Sequence, residues 1–458
     1  MNMKNRLFKE FLIPSLLWSA ATCAGGLTDH SFPVLSGVIL ILTALVCAGW
    51  FLALDRSLVS FRFLLSFSWG VGEGMAAMRL SRLMGYWTWM SWASFLLFYV
   101  CFLGGFLILQ EAEAQKDRRN LEHPKALEGL KDVENPVSRS RLLTAVIVLT
   151  IVSTACFFLE AHLLGFIPAF SKETHAYNTF HITGIHYLTV SGCLVPGLET
   201  VWFLSGKRTG RQMAVLLLCC LAAFAVPVLS LSKFDLVVCL VLPIGVWFLM
   251  RPALSPKKMA LVVGGVILLI AAATVYTTLS RHYKPGYIGS IFQMRDEDMP
   301  VALQYVYMYV SNNFANFNVL TERLRGGTIP YLYGIKQLFP LFALTGLKFL
   351  KPSLVSYPLP ITKTELNTLT IIYDAYYDFG LAGVIGFGLI FGAVCALLRR
   401  AVNRSENPIF CFLYAETALY AALSFFSAWL SVPTTWFWYA VTLMIWLFVQ
   451  GSSRKRQA

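Results

Sequence analysis

Charge is scarce in this 458-residue chain. Asp, Glu, Lys and Arg make up 13% of it, against about 25% in a soluble globular protein. Together with a hydrophobic share of 57% and a mean hydropathy of +0.64, that shortage excludes a soluble or a disordered protein. Cysteine is missing from the loops: all ten cysteines (Cys23, Cys47, Cys101, Cys156, Cys193, Cys219, Cys220, Cys239, Cys395 and Cys411) fall in or beside apolar runs. None has CxxC spacing, which excludes a disulfide framework and a cysteine-based zinc site. No internal repeat is visible, and this weakens an inverted-repeat transporter.

What is present is a series of apolar runs of membrane-spanning length, each about 20 residues. They fall at 10–28, 34–54, 60–78, 88–110, 142–159, 183–204, 212–229, 232–250, 259–279, 378–398, 408–430 and 435–450. The fold they predict is all-α: a polytopic membrane helix bundle of about twelve spans, a single integral membrane domain over 1–458. The first run has the basic start and apolar middle of a signal peptide. Pro14, Ser15, Ser19 and Thr22 interrupt it, and retaining it keeps the span count even.

The net charge of +13 raises the question of nucleic acid, and its distribution answers it. With both termini inside, 24 of the 37 Lys and Arg residues lie in cytoplasmic segments and nine of the rest in one long outer loop. That is the positive-inside pattern; the partner it implies is a lipid bilayer and not nucleic acid.

Two loops stand out. Residues 111–141 form a charged cytoplasmic connector of mixed sign. Residues 280–377 form a large extracytoplasmic loop with two apolar stretches. The first, 301–320, reads as a surface helix with Leu303, Val306, Val310, Phe314 and Phe317 along one face. The second, 331–350, is broken by Pro340 and carries Lys336, Lys348 and Lys351, so it is expected to lie in the interface or to re-enter partway.

Ionisable groups in or near a membrane are costly and are functional candidates by default. Arg281 opens the outer loop, and Arg323 and Arg325 follow ahead of Gly326-Gly327. An arginine fork suits a pyrophosphate, making paired charge-assisted bonds without deprotonating, and a glycine pair can form an anion-holding nest. The plainer alternative pairs these arginines with lipid phosphates or with Glu322. Tyr305 and Tyr309, with Asn312 and Asn316, offer rings that stack on sugars and amides that bond their hydroxyls; an interfacial aromatic belt is the alternative.

His162, His175, His181 and His186 cluster before and at the start of the sixth span. One of them could take a proton from a sugar hydroxyl. Further on, Asp374 and Asp378 stand four residues apart, on one face of a helix, among Tyr373, Tyr376 and Tyr377. Gly380, Gly383, Gly386 and Gly388 follow and would permit close helix approach. Asp296-Glu297-Asp298 has the DxD spacing of some metal-dependent glycosyltransferases, although tandem acids in a loop are usually only solvated. Glu73 and Glu416 sit within apolar runs, where a hydrogen bond between spans is the simpler reading and a proton path the alternative.

The stretches YVSNNFANFNVLTE and LNTLTIIYDAYYDFGLAGVIGFGLIFG, with GFIPAF and HAYNTFHITGIHYLTV before them, resemble the bacterial oligosaccharide repeat unit polymerases, the Wzy-type O-antigen and capsule polymerases. The resemblance covers most of the chain in layout. It implies a GT-C-like, inverting, metal-independent glycosyltransferase with no cofactor, acting on the outer face of the bacterial cytoplasmic membrane. The growing glycan would move from undecaprenyl pyrophosphate to the non-reducing end of a lipid-linked repeat unit. Carried onto this sequence, Arg281, Arg323 and Arg325 would hold pyrophosphate, and His181, His186, Asp374 or Asp378 would orient or deprotonate the attacking hydroxyl. Tyr305, Tyr309, Asn312, Asn316, Tyr373 and Tyr377 would line the sugar site. Arg323 and Gly334 fit the Arg-x10-Gly spacing of some such polymerases. A chain-length-regulating co-polymerase is implied through the family alone. An O-antigen ligase-like transferase and a lipid-linked oligosaccharide flippase are the competing expectations.

Overall fold

The computed structural model describes residues 3–122, 138–173, 176–251, 264–265, 268–269, 272, 276, 286–405 and 407–450; side chains from 113 to 122 are outside that description. The principal helices are α1 (Ile13–Thr28), α2 (Pro33–Asp55), α3 (Phe61–Ala77), α4 (Trp89–Glu122), α5 (Arg139–Leu164), α6 (Ile185–Val190), α7 (Val195–Leu204), α8 (Gly210–Leu229), α9 (Lys233–Met250), α10 (Val301–Arg325), α11 (Tyr373–Arg404), α12 (Ile409–Ala422) and α13 (Pro433–Gln450). Among the described residues extended pairing is limited to a single bridge between Ser81 and Met294. Eight helical segments are long and apolar enough to cross a membrane: the chain is an all-helical protein built to span one. The expected ninth span, 259–279, lies almost wholly outside the described residues. All ten cysteines are free thiols.

The helix ends follow local chemistry. Pro33 opens α2 with its φ already set for a helix. Thr209 and Gln212 form a reciprocal capping box at the start of α8, Ser232 caps α9, and Gly165 closes α5 in the left-handed region. α4 continues to Glu122, so the charged connector predicted from 111 begins as helix.

Contacts divide the chain into two compact units. The first comprises Met1–Lys131, Gly286–Arg400 and Tyr420–Thr435. Its centre is aromatic: the Trp69 ring meets Phe95, Phe98 and Phe314 edge-on, with centroids 4.8–5.9 Å apart. Trp18 stacks on Tyr99 at 3.9 Å. At the ends of α2, α3 and α11, Arg62 bonds Glu10 and Asp55, each at 2.5 Å, and Arg399 reaches Asp55 at 2.9 Å. Two anions against two cations let this knot stay buried.

α10 is not the surface helix that the sequence suggests. Leu303 and Val306 on the predicted apolar face are exposed, whereas Phe314 and Phe317 are fully buried. From Ser311 to Asn318 every residue is buried, polar ones included. An amphipathic pattern assumes one wet face, and this helix has protein on all sides from Ser311 to Asn318.

α11 is broken. Gly380 has φ 60° and ψ −142°, a conformation that glycine adopts freely and a side chain does not. Just before the break the carbonyls of Tyr377 and Asp378 accept from the backbone N–H groups of Leu332 and Tyr333, both at 3.2 Å. The segment 331–338 is thereby stitched to the first turns of α11, and the span expected from 378 has its helical start at Tyr373.

The second unit comprises Asp132–Pro285, Ala401–Leu419 and Trp436–Ala458. α5, α7, α8 and α9 form its body. Trp202 is buried against α5, donating from Nε1 to the Arg139 carbonyl at 3.1 Å, with the Arg139 guanidinium 4.0 Å above its ring. Phe157, Phe180 and Val226 make a smaller apolar cluster beneath the segment that leads to α6.

Candidate functional site

In the first unit the expected site residues fall into two groups. Asn312, Asn313, Asn316 and Asn318 are buried and fully occupied in ordering the chain. Asn316 Nδ2 donates to Leu366 O at 2.6 Å and Thr368 O at 2.8 Å, while its Oδ1 accepts from Thr362 N and Oγ1 at 2.8 and 2.9 Å. Asn312 holds the same segment through Leu366 O and Thr362 Oγ1. Asn313 accepts from Thr368 Oγ1, and Asn318 bridges Tyr86, Thr88, Ser91 and Glu322. Predicted to meet sugar hydroxyls, Asn312 and Asn316 instead clamp residues 362–368 to α10. Each buried amide needs its partners satisfied, and an irregular segment with free backbone groups supplies them.

Tyr373 and Tyr377 do comparable work on the segment before it, their hydroxyls donating to Pro360 O at 2.6 Å and Pro358 O at 3.0 Å. Asp378, fully buried, accepts from the backbone N–H groups of Lys336 at 3.0 Å and Gln337 at 2.8 Å. Its carboxylate anchors the backbone at 336–337.

The second group remains available for chemistry. Arg323 and Arg325, in the last turn of α10, are exposed and form no ion pair among the described residues. Their position at a helix C-terminus is a favourable one for cations. Arg323 is close enough to Tyr373 and Tyr377 to act electrostatically on both phenols. Glu322, the partner the sequence offered, is bonded by Asn318 instead.

Beside them lies a pair the sequence reading did not single out. Lys336 Nζ is 3.0 Å from Asp374 Oδ1, with side-chain exposures of only 10% and 6%, and 4.6 Å from the centre of the Tyr357 ring. Burial pulls the lysine pKa down, but Asp374 and Tyr357 more than offset it and hold the ammonium above its ordinary value. The signal was Lys336 itself, a charge inside an apolar stretch. Its partner was hidden by distance along the chain.

Tyr305 is buried edge-on against Phe292, centroids 4.9 Å apart. Tyr309 is half-buried and nearly parallel to Phe426, at 6.1 Å and 12°. Asp296 and Asp298 are exposed, and Glu297 faces Arg82 at the surface, 3.2 Å away. Glu73 is fully buried in α3. Arg281 lies outside the described residues.

His162, His181 and His186 belong to the second unit, and His175 lies outside the described residues. Glu160, fully buried near the end of α5, has both carboxylate oxygens 3.2 Å from His186 Nδ1 and accepts in addition from Ile182 N at 2.9 Å and Thr189 Oγ1 at 2.7 Å. The His181 ring is 4.9 Å from that of His186. Glu160 was missed because it falls one residue past the predicted end of the fifth span. An acid there, opposite a histidine at the start of the sixth, was the available clue. Glu416, also in this unit, accepts from Thr442 Oγ1 at 3.1 Å. Among the described residues no group of three or more His, Cys, Asp or Glu is arranged to hold a metal ion.

Comparison of the chain with protein families, with characterised proteins and with solved structures finds no match.

Proposed function

We propose that this chain is a polysaccharide polymerase of the Wzy type: an inverting glycosyltransferase that moves a growing glycan from undecaprenyl pyrophosphate to the non-reducing end of a lipid-linked repeat unit, at the outer face of a bacterial cytoplasmic membrane. The observation that carries the reading is the state of Arg323 and Arg325. Two exposed guanidinium groups without carboxylate partners among the described residues, in a protein this poor in charge, stand ready for an anionic ligand. Pyrophosphate bound there would be stabilised further as the anomeric bond breaks and charge builds on the leaving oxygen. Arg281 joins them through the resemblance. The half-buried Tyr309–Phe426 pair offers an aromatic surface to a sugar face.

The test is reconstitution. Purified protein in nanodiscs is given undecaprenyl pyrophosphate-linked repeat units, with chelator present, and products are separated on a gel. A ladder of repeat units supports the polymerase. Single addition to another acceptor replaces it with a ligase, and movement of lipid-linked sugar between leaflets without transfer replaces it with a transporter.

A further inference from the structure

In the first unit, one end of α11 carries an apolar arm that the rest of the chain leaves uncovered. Past the break, α11 is uncharged from Leu381 to Leu398, about 27 Å of helix and close to the thickness of a bilayer's hydrocarbon core. Asp374 and Asp378 therefore stand at the membrane surface, and so does what they hold: Lys336 through the ion pair and the backbone at 336–337 through the Asp378 carboxylate. From this root the chain runs into two short helices, Phe339–Leu344 and Leu347–Leu350, six and four residues long, separated by a turn at Gly346 with φ 76°. Neither is long enough to cross a bilayer. Pro340 and Ala343 are buried on the inner side. Leu338, Leu341, Leu344, Leu347, Phe349 and Leu350 are exposed, Phe349 by 63% and Leu350 by 83%.

An uncovered apolar patch beside the membrane surface, on helices too short to span, has acyl chains as its natural cover. Charge selects among lipids. Lys348 and Lys351 flank Phe349 and Leu350, and neither forms an ion pair among the described residues. No Asp or Glu occurs from Gly326 to Thr364, so nothing within this stretch competes for the two ammonium groups. A lysine lays its stem along apolar surface while its head stays at the polar boundary, and Lys348 Nζ stands 5.0 Å from the centre of the Phe349 ring.

We propose that residues 338–351 form a lipid-docking arm: its leucines and Phe349 insert among the acyl chains of one leaflet, and Lys348 and Lys351 bind the phosphates of anionic phospholipids. The arm is independent of the polymerase reading and stands or falls without it.

The experiment uses the full chain in nanodiscs of equal parts phosphatidylcholine and phosphatidylglycerol. The photoreactive amino acid benzoylphenylalanine is placed at Phe349 or Leu350, where exposure leaves room for it, and at Ile390, exposed on the spanning part of α11, as the membrane control. After illumination the adducts are identified by mass spectrometry. Both arm positions should cross-link to acyl chains as the control does, with phosphatidylglycerol several-fold over phosphatidylcholine. Lys348→Gln combined with Lys351→Gln, or high salt, should return that preference to the even ratio of the bilayer while the adducts persist. Even-ratio adducts in the unaltered arm overturn the anionic-lipid site. Adducts to a second copy of the chain, or no lipid adduct at either position while Ile390 reacts, overturn the arm altogether.

Discussion

Lys336 and Asp374 form a nearly buried ion pair 3.0 Å long that joins the segment 331–338 to the first turn of α11. Removing one partner strands the other in a dry environment, which costs about 3–5 kcal/mol. Lys336→Met and Asp374→Leu should each lower the melting temperature of the detergent-solubilised protein substantially, and the double variant should recover most of the loss. With the lysine pKa raised in the folded state, this contribution is complete below the ordinary lysine pKa and disappears only as pH rises through the folded value. Thermal melts from pH 6 to 9 should therefore show it undiminished.

Arg323→Ala and Arg325→Ala should abolish polymer while leaving expression and melting temperature unchanged, since neither side chain has a carboxylate partner among the described residues to lose. Arg323→Lys should retain a fraction of activity, because an ammonium keeps the charge but not the paired fork. Gel ladders from reconstituted variants check this. Normal ladders from both alanine variants would sink the pyrophosphate role.

Asn316→Ala should destabilise the protein by about 2 kcal/mol, since it takes the partner from the Thr368 carbonyl and the Thr362 N–H and leaves Leu366 O and Thr362 Oγ1 held by Asn312 alone. Asn316→Asp should fare no better, because a carboxylate cannot donate to Leu366 O and Thr368 O. Limited proteolysis should show new cleavage between 360 and 368. A variant that resists protease like the wild type would show that the segment is held from elsewhere.

The glycines of α11 are not equivalent. A Cβ at Gly383 would be driven into the Ala375 carbonyl, one at Gly392 into the Phe102 carbonyl of α4, and one at Gly386 would meet nothing within 4 Å. Gly392→Ala should cost about 1–3 kcal/mol through overpacking, and Gly386→Ala should be neutral or slightly favourable to the helix. Melting curves of the two variants distinguish them directly.

Hydropathy and charge placement made the helices legible, because spanning length and the avoidance of buried charge are local properties of the chain. Gly388 was likewise readable as a close-approach position and packs against Phe98 and Cys101 of α4, whereas the tight contact at Gly383 is with Ala375 of its own helix and Gly386 meets nothing within 4 Å. Partnerships were not legible. Asn316 reads as a sugar ligand until Leu366, fifty residues on, is seen to occupy it. Asp378 reads as a base until the amides of Lys336 and Gln337 close over it. Gly380 looks like its neighbours in sequence and differs only in carrying the break. Polar residues of a long loop advertise hydrogen-bonding capacity, and nothing in their spacing says whether the chain itself consumes it.

The stitch across the break at Gly380 sets what can be exchanged between proteins of this design. Residues 331–338 borrow two carbonyls and two aspartates from the opening turns of a transmembrane helix, so the loop carries its footing with it. A chimera cut at the predicted edge of the membrane would sever that footing and leave donor amides and a lysine without counterparts. The transplantable module runs from the end of α10 through Gly380, loop and helix start together.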